Sequence, residues 1–218
     1  AVQGQRARLL AFQGKLPEAR NSLRKLPETE ARDAVLKIQA EAQLLKELKQ
    51  WREAWNVLEQ GGQRFPEDPD LLYDQAMVAE KLKRFEDMDQ LLRKVIALSP
   101  DNAGAYNALG YSLADRNINL PEARKLIEQA LALRPGDAYI VDSLAWVAFR
   151  EGKVDEARQL LTQAYTSRQD AEIAAHLGEV LWLQNDREGA LKIWKEGWAR
   201  DKSNETLKET LQRFGVQL

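Results

Sequence analysis

The 218 residues contain no cysteine and a single histidine, His176. The first absence removes disulfides, thiolate zinc sites and thiol catalysis, and it leaves the redox compartment open. The second leaves one imidazole for any acid–base or metal chemistry. Proline (7) and glycine (12) are sparse, and most fall between stretches of helical pattern. No apolar run approaches the roughly 18–20 residues that cross a bilayer as a helix. Charge of one sign is also lacking, since 32 basic residues face 34 acidic ones for a net of −2. The basic residues are scattered, which argues against the basic stripe of a nucleic-acid reader. What remains is 44% hydrophobic and 30% charged, enough for a continuous core under much exposed helical surface.

What is present is a beat. The run Leu16-Pro-Glu-Ala-Arg20 returns unchanged at Leu120 to Arg124, and Asp155-Glu-Ala-Arg158 repeats its ending. The small residue at its centre falls at Ala19, Ala54, Met88 (a larger substitute), Ala123, Ala157 and Ala190, in steps of 35, 34, 35, 34 and 33 residues. Pro66, Pro100 and Pro135 keep the same time, as do Leu109-Gly110, Leu144-Ala145 and Leu177-Gly178. A fixed period of this length is the signature of stacked supersecondary units.

Each unit reads as two amphipathic helices. Leu109 and Leu113 share one face, and Ala123, Ile127, Ala130 and Leu131 form the facing stripe. The same pattern recurs in Leu144, Ala145 and Ala148 followed by Ala157, Leu160, Leu161 and Ala164. First helices are expected near 1–13, 30–48, 69–82, 102–116, 138–150 and 171–184, and second helices near 16–26, 51–65, 85–98, 120–133, 154–167 and 187–200. They pair into hairpins 1–27, 30–66, 69–100, 102–135, 138–168 and 171–201, with a last helix over 204–214. Asp68, Asp101 or Asn102, Asp137 and Ser203 or Asn204 are candidate N-caps. The 35-residue step around Asn117 to Pro121 places one extra residue in a hairpin turn. The expectation is an all-α solenoid of stacked hairpins forming one domain over 1–218.

The period and the Leu-Gly, Ala and Pro positions resemble the tetratricopeptide repeat (TPR) family, strongly over 69–200 and less so over 1–66, where Ala7 and Ala42 stand in as small residues. More narrowly, Asn107-Ala-Leu-Gly-Tyr-Ser-Leu-Ala-Asp-Arg116, Asp142-Ser-Leu-Ala-Trp146 and Ala175-His-Leu-Gly-Glu-Val180 resemble the C-terminal region of a family of proteobacterial TPR lipoproteins. That resemblance implies an outer-membrane adaptor. It would bind and activate a periplasmic carboxyl-terminal processing protease and help it degrade cell-wall hydrolases. It also implies a periplasmic location with a lipid anchor upstream. The chain starts Ala-Val-Gln without methionine, which reads as a fragment or processed form.

No Gly-rich phosphate loop, HExxH or EF-hand loop is present. His176 has Glu172 and Glu179 as neighbours on its own helix but no nucleophile in sequence reach, so it reads as a packing or groove-lining residue. No catalytic residue, cofactor or metal is expected. The candidate partner-binding residues are large first-helix side chains left over from the hairpin core: Tyr73, Met77, Asn107, Tyr111, Asp142, Trp146, Phe149, Arg150, Glu179 and Trp182. Tyr111, Trp146, Phe149 and Trp182 would form an aromatic track, the residue type that dominates interface hot spots, or else would fill the inside of the superhelix. Trp51, Trp55, Trp194 and Trp198 lie on second helices and are assigned to the core. The TPR subgroup that clamps chaperone C-termini uses lysine, arginine and asparagine on the groove, and here Asn107 alone fits. The reading is a non-catalytic scaffold that holds a protein partner or extended polypeptide in its concave groove. Two alternatives stay open: the repeat region of a larger enzyme such as a TPR-bearing glycosyltransferase, or a structural subunit of an envelope or secretion assembly.

Overall fold

The computed structural model describes residues 2–218, so residue 1 of the first expected helix lies outside the described residues. Among these residues all regular structure is helical. The helices are α1 (Val2–Phe12), α2 (Leu16–Arg24), α3 (Ala31–Glu47), α4 (Trp51–Arg64), α5 (Pro69–Lys81), α6 (Phe85–Leu98) and α7 (Ala103–Asp115). They continue with α8 (Leu120–Leu133), α9 (Ala138–Arg150), α10 (Val154–Ser167), α11 (Ala171–Leu183), α12 (Arg187–Arg200) and α13 (Glu205–Phe214). Every expected helix is present to within two residues at each end. The chain forms two compact units, residues 1–100 and 101–218.

In the first unit α1 pairs with α2, α3 with α4 and α5 with α6, and α4 packs on α5. Ala19, Ala42, Ala54 and Ala76 are each fully buried where helices cross, with Leu45, Leu58, Leu71 and Leu92 filling the space between. Each such leucine contributes roughly 1.5–3 kcal/mol by leaving water. Trp55 is buried, as expected for a second-helix tryptophan, with the Arg84 guanidinium 3.9 Å from its ring centroid. Glu28 ties the α2–α3 loop to α4, and hydrogen bonds from Arg64 and then Lys37 hold its carboxyl down to about 2.

In the second unit the hairpins α7–α8, α9–α10 and α11–α12 stack in order, and the first helices α7, α9 and α11 lie side by side. The Leu-Gly pairs have a steric cause. A Cβ at Gly110 would stand 2.6 Å from Ile127 Cγ1 and 2.9 Å from the Ala123 carbonyl oxygen, and one at Gly178 would enter the Trp194 indole. Trp194 is fully buried and donates its indole N–H to the Ala175 carbonyl (3.2 Å).

First and second helices begin differently. Asp68, Asn102, Asp137, Asp170 and Asn204 accept backbone N–H bonds in the first turns of α5, α7, α9, α11 and α13, at 2.8–3.3 Å. Asn102 and Asn204 are thus the caps where two candidates stood at each site. Second helices emerge from hairpin turns that each contain a left-handed residue, Gly14, Lys49, Lys83, Asn117, Gly152 and Asn185, and α12 also has a side-chain cap, Asp186 accepting from the Gly189 N–H (2.9 Å). The α7–α8 turn carries the extra residue, with Asn119 as a second left-handed position (φ 44°) and Ile118 exposed.

Helix α13 closes the second unit. Leu207, Thr210 and Leu211 are buried, and the Phe214 ring lies 5.6 Å from Trp194 and 5.9 Å from Trp182 between centroids. A terminal solenoid unit exposes its apolar face unless covered. Deleting residues 204–218 is therefore expected to lower the melting temperature and promote aggregation. An unchanged melt with a monomeric truncated protein would refute α13 as the cap. Lys83 occupies the left-handed region at φ 57°, which disfavours a side chain bearing Cβ. Lys83→Gly should raise stability by about 0.5–1 kcal/mol in urea unfolding, set against the entropy glycine adds to the unfolded chain.

Candidate functional site

The ten residues singled out in the sequence divide into groups. Tyr73 and Met77 are half-buried on α5, within the first unit. The other eight stand on α7, α9 and α11, the first helices of the second unit. Asn107, Tyr111, Phe149, Arg150 and Trp182 are partly exposed, whereas Asp142, Trp146 and Glu179 are only 3%, 3% and 4% exposed. Those three are enclosed by the chain's own helices, and the reason is a polar cluster that no single helix reveals.

At its centre is His176 on α11, 2% exposed. Its Nδ1 lies 2.9 Å from both carboxylate oxygens of Asp142 on α9, and its Nε2 lies 3.3 Å from the Tyr111 hydroxyl on α7. The Trp146 indole stacks on the imidazole at 4.3 Å and 23°, with Phe149 packed 5.1 Å from Trp146. Trp146 Nε1 donates to Asp115 (3.2 Å), and Arg150 donates to the Asp115 carbonyl (3.0 Å) with its guanidinium 5.0 Å from the indole centroid. The partner of His176 is therefore Asp142 across the hairpin stack, not Glu172 or Glu179 along its own helix. Burial opposes the proton on His176, but the charge and hydrogen bond of Asp142, followed by Glu172 and Glu179, outweigh it and raise the ring above the ordinary imidazole range.

Glu179 accepts a forked pair of bonds from Arg213 of α13, at 3.0 and 2.7 Å. With Arg213 half in solvent and Glu179 buried, the pair matters mainly through what its loss would leave, a carboxylate without a counter-charge. Beside the cluster lies a polar cavity of about 170 Å³, bounded by Tyr111, Asp115, Arg150 and His176 and walled by α13.

Trp182 does not join this group. Its ring lies 5.5 Å from Trp194 and 5.9 Å from Phe214, with Arg187 over it at 4.6 Å, so it belongs to the apolar cluster beneath the cap. The aromatic track contracts to Tyr111, Trp146 and Phe149, joined by His176. Sequence reading missed Asp142–His176 and Glu179–Arg213 as pairs. The signal was there: each pair is separated by 34 residues, one repeat, which brings like faces of successive first helices together. The arrangement can hold a proton and orient rings. Thr206 and Thr210 line the cavity it borders, and no group of metal ligands occurs among the described residues.

The proton on His176 links this site to stability. Its folded-state affinity exceeds the unfolded value of about 6.5, so the native protein binds more protons over the interval between the two. The stabilisation is fully present below that unfolded value and is lost as pH rises through the folded one. Urea midpoints should fall over this window, and His176→Gln should flatten the dependence. A midpoint that rises with pH there would contradict the assignment.

Comparisons with known proteins agree with this architecture. Models of the tetratricopeptide repeat match residues 1–25, 69–102, 88–138 and 143–205. The TPR repeat-containing protein PA4667 of Pseudomonas aeruginosa is 43% identical over 166 residues, which cover 76% of this chain and 28% of that protein. The chain thus spans little more than a quarter of that relative. Among solved structures, TTC0263, a thermophilic TPR protein of Thermus thermophilus, superposes with a TM-score of 0.69 at 20% identity, covering 80% of this chain and 96% of its own. A tetratricopeptide repeat protein of Parabacteroides merdae gives 0.75 at 13% identity, covering 97% and 86%. With the repeat model 88–138 and 143–205 alone accounting for more than half the residues, the chain belongs to the tetratricopeptide repeat family.

Proposed function

We propose that this chain is a non-catalytic scaffold that holds a protein partner through the first-helix side chains of its hairpins. TPR proteins generally mediate protein–protein interaction, and the family supplies that coarse statement. The observation that supports a site on this chain is the set of partly exposed groups at the α7–α9 rim. Tyr111, Asp115 and Arg150 border a polar cavity there, with Asn107 one turn along α7. Aromatic and arginine side chains of this kind give large contact area with a polar handle. Asp142, Trp146 and Glu179 serve the same surface from beneath, by fixing its rings and charges.

In the finer reading the partner is a periplasmic carboxyl-terminal processing protease. The chain belongs to an outer-membrane lipoprotein that presents cell-wall hydrolases to that protease. The support is the resemblance of segments 107–116, 142–146 and 175–180 to that lipoprotein family, together with the 43% identity to a Pseudomonas TPR protein. An adaptor of this kind accelerates proteolysis by raising effective concentration, with no chemistry of its own.

Gel filtration of the full-length protein with the protease of the same cell, followed by a hydrolase-degradation assay, tests both levels. Co-elution and faster degradation are expected with the wild type. Arg150→Glu should weaken binding about tenfold or more, roughly 1.4 kcal/mol, in a protein that stays folded with its melting temperature lowered by the loss of the Asp115 and Trp146 contacts. Separate elution and an unaltered degradation rate would remove the protease reading. Full binding by a folded Arg150→Glu protein would remove the α7–α9 rim as the binding surface.

A further inference from the structure

Helix α13 is a wall of the cavity beside His176, to which it contributes Thr206, Glu209, Thr210 and Arg213. The charged and titratable groups around the imidazole come from four helices. Tyr111 and Asp115 stand on α7, Asp142 and Arg150 on α9, Glu172 and Glu179 on α11, and Glu209 and Arg213 on α13. The attraction that keeps a proton on His176 comes from Asp142, Glu172 and Glu179, all on helices that remain if α13 leaves.

What α13 adds works against that proton in two ways. Its Arg213 brings a positive charge and holds the Glu179 carboxylate at 2.7 and 3.0 Å, offsetting part of the pull of one of the three acids that favour the imidazolium. Its Thr210, 2% exposed, helps seal the site from water, and desolvation penalises the charged ring. Glu209 acts in the opposite direction, but it is exposed on the cavity rim and therefore screened. The docked helix makes His176 less basic than it is with the helix released. Coupling between two binding events is reciprocal, so a proton on His176 must weaken the docking of α13 by the same factor.

We propose that α13 and a proton on His176 compete for the first-helix face of the second unit, so that acid loosens the C-terminal helix while the hairpins beneath it stay folded. Release opens the cavity and uncovers Glu179 together with the Tyr111 and Trp146 edges. It leaves Trp182 and Trp194 without Phe214. The device is independent of any partner. It also differs in sign from the global pH response, because the fully unfolded chain lacks Asp142 beside the ring whereas the chain with α13 released retains it.

His176 is the only histidine, so its imidazole resonances are assigned without further variants. An NMR titration of the full chain gives the midpoint. Hydrogen exchange of residues 205–214, corrected for the intrinsic effect of pH, gives the docking of α13. Protection of α13 should fall as pH drops through the midpoint while that of α7 and α9 persists. Arg213→Gln should raise the midpoint by about half a unit or more. A midpoint unmoved or lowered by Arg213→Gln overturns the competition, as does α13 protection that holds or grows on the acid side. Should Arg213→Gln fail to fold, hydrogen exchange of the unaltered chain decides alone, since α13 protection that holds or grows on the acid side is equally fatal.

Discussion

Close approach of two helices at a residue with no side chain to spare is the constraint on which this molecule rests. At Ala19, Ala54, Ala123, Ala157 and Ala190 the second helix of five of the six hairpins meets the first with full burial of the methyl group, and in α6 the buried Met88 takes that place. Gly110 and Gly178 carry the same requirement further, because the space a Cβ would need is filled by Ile127 and by Trp194. Once those crossings are fixed, the large residues have little freedom about where to go. Leucines and isoleucines enter the hairpin interface, and the remaining first-helix positions turn to the other side. The polar cluster around His176 is thus a consequence of alanine placement as much as of its own chemistry.

That logic explains why the fold was legible. Small residues, helix-stopping prolines and Asp or Asn caps are local signals, and they recur every 33 to 35 residues, so six weak readings add to one strong one. Even the extra residue between α7 and α8 could be placed in its turn, where the structure has Asn117 and Asn119 both left-handed. Boundaries slipped by one or two residues at helix ends, most at α2, expected to reach residue 26 and ending at Arg24.

The site was legible in composition but not in exposure. Helical phase put Tyr111, Trp146, Asp142 and Glu179 on one face, yet phase says nothing about how closely the neighbouring first helices approach. Trp146 is enclosed because His176 of the next hairpin lies flat on it, and Glu179 because Arg213 reaches it from α13. Both are contacts between repeats, whose geometry depends on the inter-hairpin angle and on a terminal helix that departs from the repeat. Trp182 was misplaced for a related reason. It sits one turn beyond Gly178, where the missing side chain lets Trp194 come up to meet it.

The contact pattern has a kinetic side. Within each unit most helix pairings join immediate neighbours or the next helix of the same kind, with Tyr111–His176 reaching past α9, so contacts concentrate between residues no more than about one repeat apart. Such a chain spends little loop entropy before its first native contacts reward it, and any hairpin can serve as the starting point from which order spreads in both directions. A chain emerging from synthesis or translocation could therefore complete hairpins one at a time, each new one templated by the last. The sequence position of a hairpin then becomes its place in an assembly schedule, with α13 following the α11–α12 hairpin it covers.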